Sequence, residues 1–435
     1  MKTTVSHPLF RNRSTRILLM MVTVATVAIV AVGDAAGQEE TTAQDWTQWR
    51  GPQRDGMVEN ETLSSASSLA GLKEQWHVDL GPSYSSPIVV GNMVFVTETK
   101  DKKSEVVRAL NRETGEQLWK TEWQGAMTVP FFAKANGDWI RATPVYDNGR
   151  LYVSGMTDVL VCLKAEDGSK LWEIDFKEGT GKPPSFGAVC SPLIHGDFLY
   201  IEAGNGLRKI NKLSGDIEWT VLKAAAGAKM SDGTFSSPLI ATVAGREQIL
   251  VQTRSTLAGV DLDSGDVLWS QEVPAYRGMN ILTPTVFNDS VFTSSYNNGS
   301  YMYKVSAEEN SMTSSKTWQG PERGYMSSPI RIDNHVYLHL QNTRLACIDL
   351  ETGETKWKSK QYGKYWSMIC SGDRILALDE RGELLLVRAN PEKFDLLDRK
   401  EVSEESTWAH VALSGNQVFV RELNGLTLYD WSPEG

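Results

Sequence analysis

Ala346-Cys347-Ile348-Asp349-Leu350-Glu351-Thr352-Gly353-Glu354-Thr355-Lys356-Trp357 reads as the end of one β-strand, a tight turn and the opening of the next strand. The residues up to Ile348 are apolar. Asp349 and Gly353 bracket the reversal, since an aspartate side chain bonds to the backbone of a turn and glycine supplies a positive φ. The same grammar recurs at Ala109-Leu110-Asn111-Arg112-Glu113-Thr114-Gly115-Glu116-Gln117-Leu118-Trp119. Its turn glycine returns at Gly115, Gly168, Gly215, Gly265 and Gly353, and its tryptophan at Trp119, Trp172, Trp219, Trp269, Trp318 and Trp357.

Working upstream from each such stretch, a small polar pair and a proline lead into an apolar run, as in Ser85-Ser86-Pro87-Ile88-Val89-Val90. A Gly91-Asn92 turn follows, then Met93 to Val96. The proline recurs at Pro87, Pro144, Pro192, Pro238, Pro284 and Pro329, at spacings of about 45–57 residues. Four short strands per unit at this period indicate propeller blades rather than helical solenoids. Two further units lack the proline: one opens at Trp366 to Cys370, with Gly372-Asp373 as its turn, and one at Trp408 to Val411, with Gly415-Asn416. The last unit shows three strands, ending at Leu426 to Tyr429. Leu72 to Leu80 looks like a blade tail without a beginning. Pairing the two removes an open sheet edge. The expectation is an all-β, eight-bladed β-propeller spanning 72–435, its ring closed by an N-terminal strand. The repeated tryptophans should pack between adjacent blades, each burying about 150–250 Å².

Ahead of the ring come a leader at 1–36 and an extension at 37–71. The leader carries Arg11, Arg13 and Arg16, then Ile17 to Val32 without a charge, then Gly33-Asp34-Ala35-Ala36, small residues suited to signal peptidase. The apolar run is short of the roughly 20 residues a membrane-spanning helix needs; an uncleaved anchor is the alternative. The expected location is the periplasm or cell envelope. The formal charge of −10 becomes more negative once four leader cations and one leader acid are removed. An acidic chain argues against nucleic acid as partner, and a membrane would be met only through an uncleaved leader or a partner. Cys162, Cys190, Cys347 and Cys370 are far apart; two disulfides are conceivable in an oxidising compartment, but three of the four lie in apolar strand patterns, where cysteine acts as a small hydrophobe.

The Pro-led strand and the Ala-x-Asp-x-x-Thr-Gly-x-x-x-Trp stretch resemble the pyrroloquinoline-quinone (PQQ)-like β-propeller repeat family, over residues 72–431 and in the Trp46 to Gly56 opening. The resemblance implies a quinoprotein alcohol dehydrogenase-like ring. It covers two kinds of member: dehydrogenases, and scaffolds similar to BamB of outer-membrane protein assembly. The dehydrogenase kind has an adjacent cysteine pair, a calcium site of Glu, Asn and Asp beside the quinone, and a general-base Asp. None of these maps onto a matching stretch here. The expected function is therefore an exported, non-catalytic scaffold that binds envelope proteins, with no catalytic residue and no cofactor. The alternative is a PQQ-dependent dehydrogenase holding PQQ with calcium, or another small-molecule-binding propeller.

Other chemistry is sparse. His335 and His339 share one strand face with no carboxylate or cysteine tied to them, so no metal site is expected. Gly179-Thr-Gly181-Lys182 lacks the first glycine of a phosphate loop and reads as an ordinary loop, as does the Ser-rich 64–68 stretch. Asp261-Leu-Asp263-Ser-Gly265 is one copy of the blade turn. The residues three before each proline, or their equivalents, are placed at the start of the innermost strand: Tyr84, Arg141, Val189, Phe235, Ile281, Met326, Tyr365 and Trp408. They should ring one channel mouth, either plugging it or receiving a planar anion or a partner's peptide loop. Two further stretches are candidate partner surfaces: Trp49, Arg50 and Arg54 outside the repeats, which otherwise pack across the propeller wall, and Phe131 and Phe132 in the long Gly125 to Trp139 insertion; either is alternatively a self-packed loop.

Overall fold

Each Pro-led segment becomes the first strand of a four-stranded antiparallel sheet. In blade one these strands are Ile88–Val90, Met93–Lys100, Ser104–Asn111 and Gln117–Gln124. The computed structural model describes residues 45–224, 233–309 and 311–431; the leader lies outside them. Among the described residues eight such sheets occur, each ordered from its first strand outward. The two units without proline contribute Trp366–Ser371 and Ala412–Ser414 as their first strands.

Burial explains the order. The first strand of blade one is buried along its whole length, whereas the fourth is buried only at intervals. Sheets buried on both faces read as nearly continuous apolar runs, and a solvated outer strand alternates. The core accordingly lies between blades: Phe95, Ala109 and Trp119 of blade one pack with Tyr146, Leu151 and Val161 of blade two. The ring closes where Leu72–Asp79 pairs antiparallel with Gly425–Trp431, Leu72 opposite Trp431 and Asp79 opposite Gly425.

The tryptophans act one blade ahead of themselves. Trp119 donates its indole N–H to the Ala165 carbonyl at 2.9 Å, and Trp318 to Leu350 at 2.9 Å. Each ring lies against the neighbour's turn glycine: a Cβ on Gly168 would come within 2.4 Å of Trp119, and one on Gly353 within 2.7 Å of Trp318. Those glycines also hold φ of +73° and +76°. Trp269 departs from the pattern, bonding instead to Gln248 of its own blade at 2.6 Å.

The four cysteines are free and buried. The Ser-rich stretch departs from the expected loop only at its start: Ser64 and Ser65 end a short helix, Glu61–Ser65, capped by the Asn60 side chain on Leu63 N at 2.8 Å, and residues 66–68 are irregular. Lys177–Thr180 is likewise one helical turn ended by Gly181 at φ +76°. Among the described residues no helix is long and apolar enough to cross a membrane.

Candidate functional site

The Ser-Ser-Pro segments explain how the channel wall is held. A hydroxyl just before the proline of one blade accepts from the backbone N–H of its neighbour: Thr143 Oγ1 from Ser86, Ser191 Oγ from Thr143, Ser237 Oγ from Ser191 and Ser328 Oγ from Thr283, at 2.9–3.2 Å. Ser367 Oγ accepts from Val411 N at 3.1 Å, and Ser86 Oγ donates to the His410 carbonyl at 2.8 Å, joining the last blade to the first. Serine and threonine are small enough to stand between inner strands, and they satisfy backbone groups that a buried wall would otherwise leave unpaired. The sequence signal was the recurrence of the pair; its reach across blades has no local signature.

Three residues before each proline, or at the equivalent place in the two blades without one, stand the eight positions expected at the mouth. None lies within a strand: each sits in the irregular segment that leads into one. All eight line one cavity of about 250 Å³, together with Trp49, Phe186, Tyr325, Thr407 and His410, which the sequence reading did not single out for this place. On one side Trp408 packs edge-on against Tyr84 and Tyr365, with centroids 4.7 and 4.1 Å away. Opposite, Phe235 meets Phe186 at 5.8 Å. Arg141 Nη2 donates to the Gly137 carbonyl at 2.6 Å, while its enclosed Nε and the Trp408 Nε1 have no partner. Burial lowers the Arg141 pKa from its ordinary value. His410 is pushed down to about 3 by burial and by the nearby Arg50, so it is neutral at physiological pH. Arg141 is thus the one permanent cation among the described lining residues, and none of those residues is a carboxylate.

Arg50 and Arg54 require a correction, while Trp49 is part-buried and faces the mouth cavity. Arg50 and Arg54 are each 1% exposed and present no surface to a partner. The 45–60 segment enters the channel from the end opposite the mouth and plugs it. Trp46 exchanges backbone bonds with Val89, the Thr47 carbonyl accepts from Tyr146 N, and Cys370 pairs with Gly56 and Val58. Arg54 forks onto the carbonyls of Ser191 (2.9 Å), Pro192 (2.7 Å) and Pro238 (3.1 Å). Arg50 reaches the Pro329 carbonyl at 2.5 Å and Asp55 O at 2.8 Å. Five donors in a planar fork suit several carbonyls at once. Both guanidiniums lie within 6 Å of the Trp49 ring, at 5.6 and 5.7 Å, so that ring forms the cavity floor over two buried cations.

Phe131 and Phe132 do face solvent, at 83% and 60% exposure, on a 3-10 turn over Phe131–Asn136. They continue the mouth outward: Phe131 meets Phe132 at 5.8 Å, and Phe132 meets Phe186 at 6.1 Å. A wider recess of about 890 Å³, which the sequence did not signal, lies between blades three, four and five beside Glu202, Tyr276 and Arg277.

The histidine pair departs from expectation in one respect. His335 does have a carboxylate beside it, Asp349 at 4.0 Å. His339 is stacked on Trp366 at 5.0 Å, and burial pushes its pKa down to about 4. Among the described residues no group of three His, Cys, Asp or Glu is placed to hold a metal. Calcium takes about six to eight oxygen ligands, carboxylates among them. The mouth residues offer only hydroxyls, one asparagine and backbone carbonyls, so they do not fit a calcium-bound quinone. Asp261 acts as the turn residue it resembles, accepting from Asp263 N and Ser264 N at 2.9 and 2.8 Å.

Residues 60–130 and 102–359 match the family described as outer membrane protein assembly factor BamB. The chain belongs to the BamB family. It is 23% identical over 361 residues to the outer membrane protein assembly factor BamB of Moranella endobia (strain PCIT), across 79% of this chain and 85% of that protein. The crystal structure of BamB from Moraxella catarrhalis matches with a TM-score of 0.60 at 13% identity, covering 84% of this chain and 99% of that one. A quinohemoprotein alcohol dehydrogenase from Comamonas testosteroni gives a TM-score of 0.53 at 12% identity, over 92% of this chain and 82% of its own. Identities this low bear on the fold alone, so membership of the BamB family rests on the sequence match.

Proposed function

We propose that this BamB-family propeller is a non-catalytic scaffold of the cell envelope, exported by its 1–36 leader, that binds protein partners of the outer-membrane assembly machinery at its mouth face. The observation that carries the reading is the continuous aromatic surface from exposed Phe131 and Phe132 into a mouth with neither a carboxylate nor a nucleophile pair among its described residues. Exposed contiguous aromatics mark interaction sites, and His410, with its pKa pushed down to about 3, is far from the near-neutral value that suits general acid–base work. The test is affinity purification of the full chain from an envelope fraction. Outer-membrane assembly components should co-elute with the wild type and fall at least about fivefold with the Phe131→Ser/Phe132→Ser double variant. Equal recovery from both would remove the mouth face from the reading.

The same reading holds that no quinone cofactor is used. Calorimetric titration with PQQ, with and without excess calcium, should give no saturable heat. A one-to-one, calcium-dependent isotherm would replace the scaffold reading with a quinoprotein one.

A further inference from the structure

The mouth is a blind cavity. Trp49 closes it from below, backed by Arg50 and Arg54 on the carbonyls of the inner wall. A chain cannot thread through such a space, and about 250 Å³ is below the roughly 300–1,000 Å³ of ordinary ligand pockets. It suits one side chain and one small charged group, and little room remains for a loop that enters and turns back.

Charge decides which end of a chain fits. Arg141 stands recessed in the wall with Nη2 held by Gly137 and its enclosed Nε without a partner, while His410 is neutral. No described lining residue carries a carboxylate to receive an ammonium group. A recessed arginine held among aromatic rings gains most from a carboxylate, because a charge-assisted bond in low dielectric is stronger than in water. The unpartnered Trp408 Nε1 is a further indole donor in the same wall.

The approach to the cavity indicates a polymer. Phe131, Phe132, Phe186 and Phe235 form a track whose three centroid steps are 5.8, 6.1 and 5.8 Å, from an 83% exposed ring to the mouth. About five residues of extended chain, at roughly 3.3 Å each, would span it. We infer that the mouth takes the C-terminal end of an extended polypeptide, with its terminal carboxylate on Arg141, its last apolar side chain among Tyr84, Tyr365 and Trp408, and the residues before it along the phenylalanine track. The inference rests on the protein-binding reading and names the segment of partner that the mouth recognises.

The probe is an N-terminally labelled hexapeptide of alanine and valine ending in phenylalanine, made as free acid and as C-terminal amide and followed by fluorescence polarisation against the full chain. The acid should bind saturably and at least about tenfold more tightly than the amide. Arg141→Gln should bring the acid down to the amide, Arg141→Lys should restore part of the difference, and exposed Phe132→Ser should weaken both forms while keeping their ratio. Equal binding of acid and amide, or binding of neither, overturns the inference. So does competition by phenylacetate at the peptide's own affinity, which would assign the site to a small carboxylate. Thermal melts of each variant separate lost binding from lost folding. Co-purification of assembly components that survives Arg141→Gln while no peptide binds would strike this inference and leave the scaffold reading standing.

Discussion

Trp119 is buried to 9% exposure, its N–H on Ala165 O and its ring on Gly168, so it ties two sheets with one side chain. Trp119→Ala should cost about 3–5 kcal/mol, measured as a shift in urea denaturation. Trp219 occupies the same register but is only half-buried, so Trp219→Ala should cost about half as much. Equal shifts for the two would contradict burial as the cause. The repeated Trp and Gly were legible in the sequence because each blade restates them. Trp269 was read as one more copy, and its own-blade bond to Gln248 departs from that expectation; the following turn near Glu308 carries no glycine for that ring to lie on. Glu105 was not legible: nothing local marks a carboxyl that accepts from Met156 N at 2.6 Å and Trp123 Nε1 at 3.1 Å between two blades. Burial pushes it up to about 7 from 4.5. The folded state therefore holds a proton that the unfolded chain releases. Glu105's contribution is complete below about pH 4.5 and is lost as pH rises through about 7, a matter of a few kcal/mol. Between pH 5 and 8 the wild type should lose stability more steeply than Glu105→Gln, which bears a constant cost for one lost acceptor. Parallel pH profiles would refute the assignment.

At the scale of the element, the 45–60 segment and the Ser-Ser-Pro leads define the channel. Arg54 satisfies three inner-wall carbonyls from blades three and four, so Arg54→Ala leaves buried acceptors unpaired. We expect a loss of at least about 3 kcal/mol in urea denaturation. Arg54→Lys should recover less than half, because an ammonium lacks the planar fork. Full recovery by lysine would mean that charge alone matters. The sequence offered this segment as a partner surface because its Trp and two Arg lie outside the repeats, with packing across the propeller wall as the alternative. Its burial depends on carbonyls 137 to 279 residues away, information that no local pattern holds. By contrast the eight mouth positions were readable, since one offset from a repeated proline specifies one place in every blade.

At the scale of the whole molecule, closure depends on Leu72–Asp79 lying along Gly425–Trp431. A chain beginning at residue 80 would leave that last strand as an open edge, and open edges recruit other chains. Light scattering on such a truncation should show association, whereas the full chain, its edge covered, should not associate through this strand; a monodisperse monomer from the truncation would show that the ring closes without it. The blade count and the closing strand were legible because a three-stranded end and an orphan tail complete one another. Both ends of the described chain sit on the face opposite the mouth: the Asp45 side chain accepts from Gly91 N, and Trp431 N donates to Asn416 O, in turns at that face. The plug gives this placement a mechanical meaning. A pull applied at Asp45 meets backbone and guanidinium bonds to the inner wall of several blades together, and these resist in shear rather than peeling one by one. The load path runs into the inner wall of the ring and away from its rim, so tension from a tether at that end passes the mouth by.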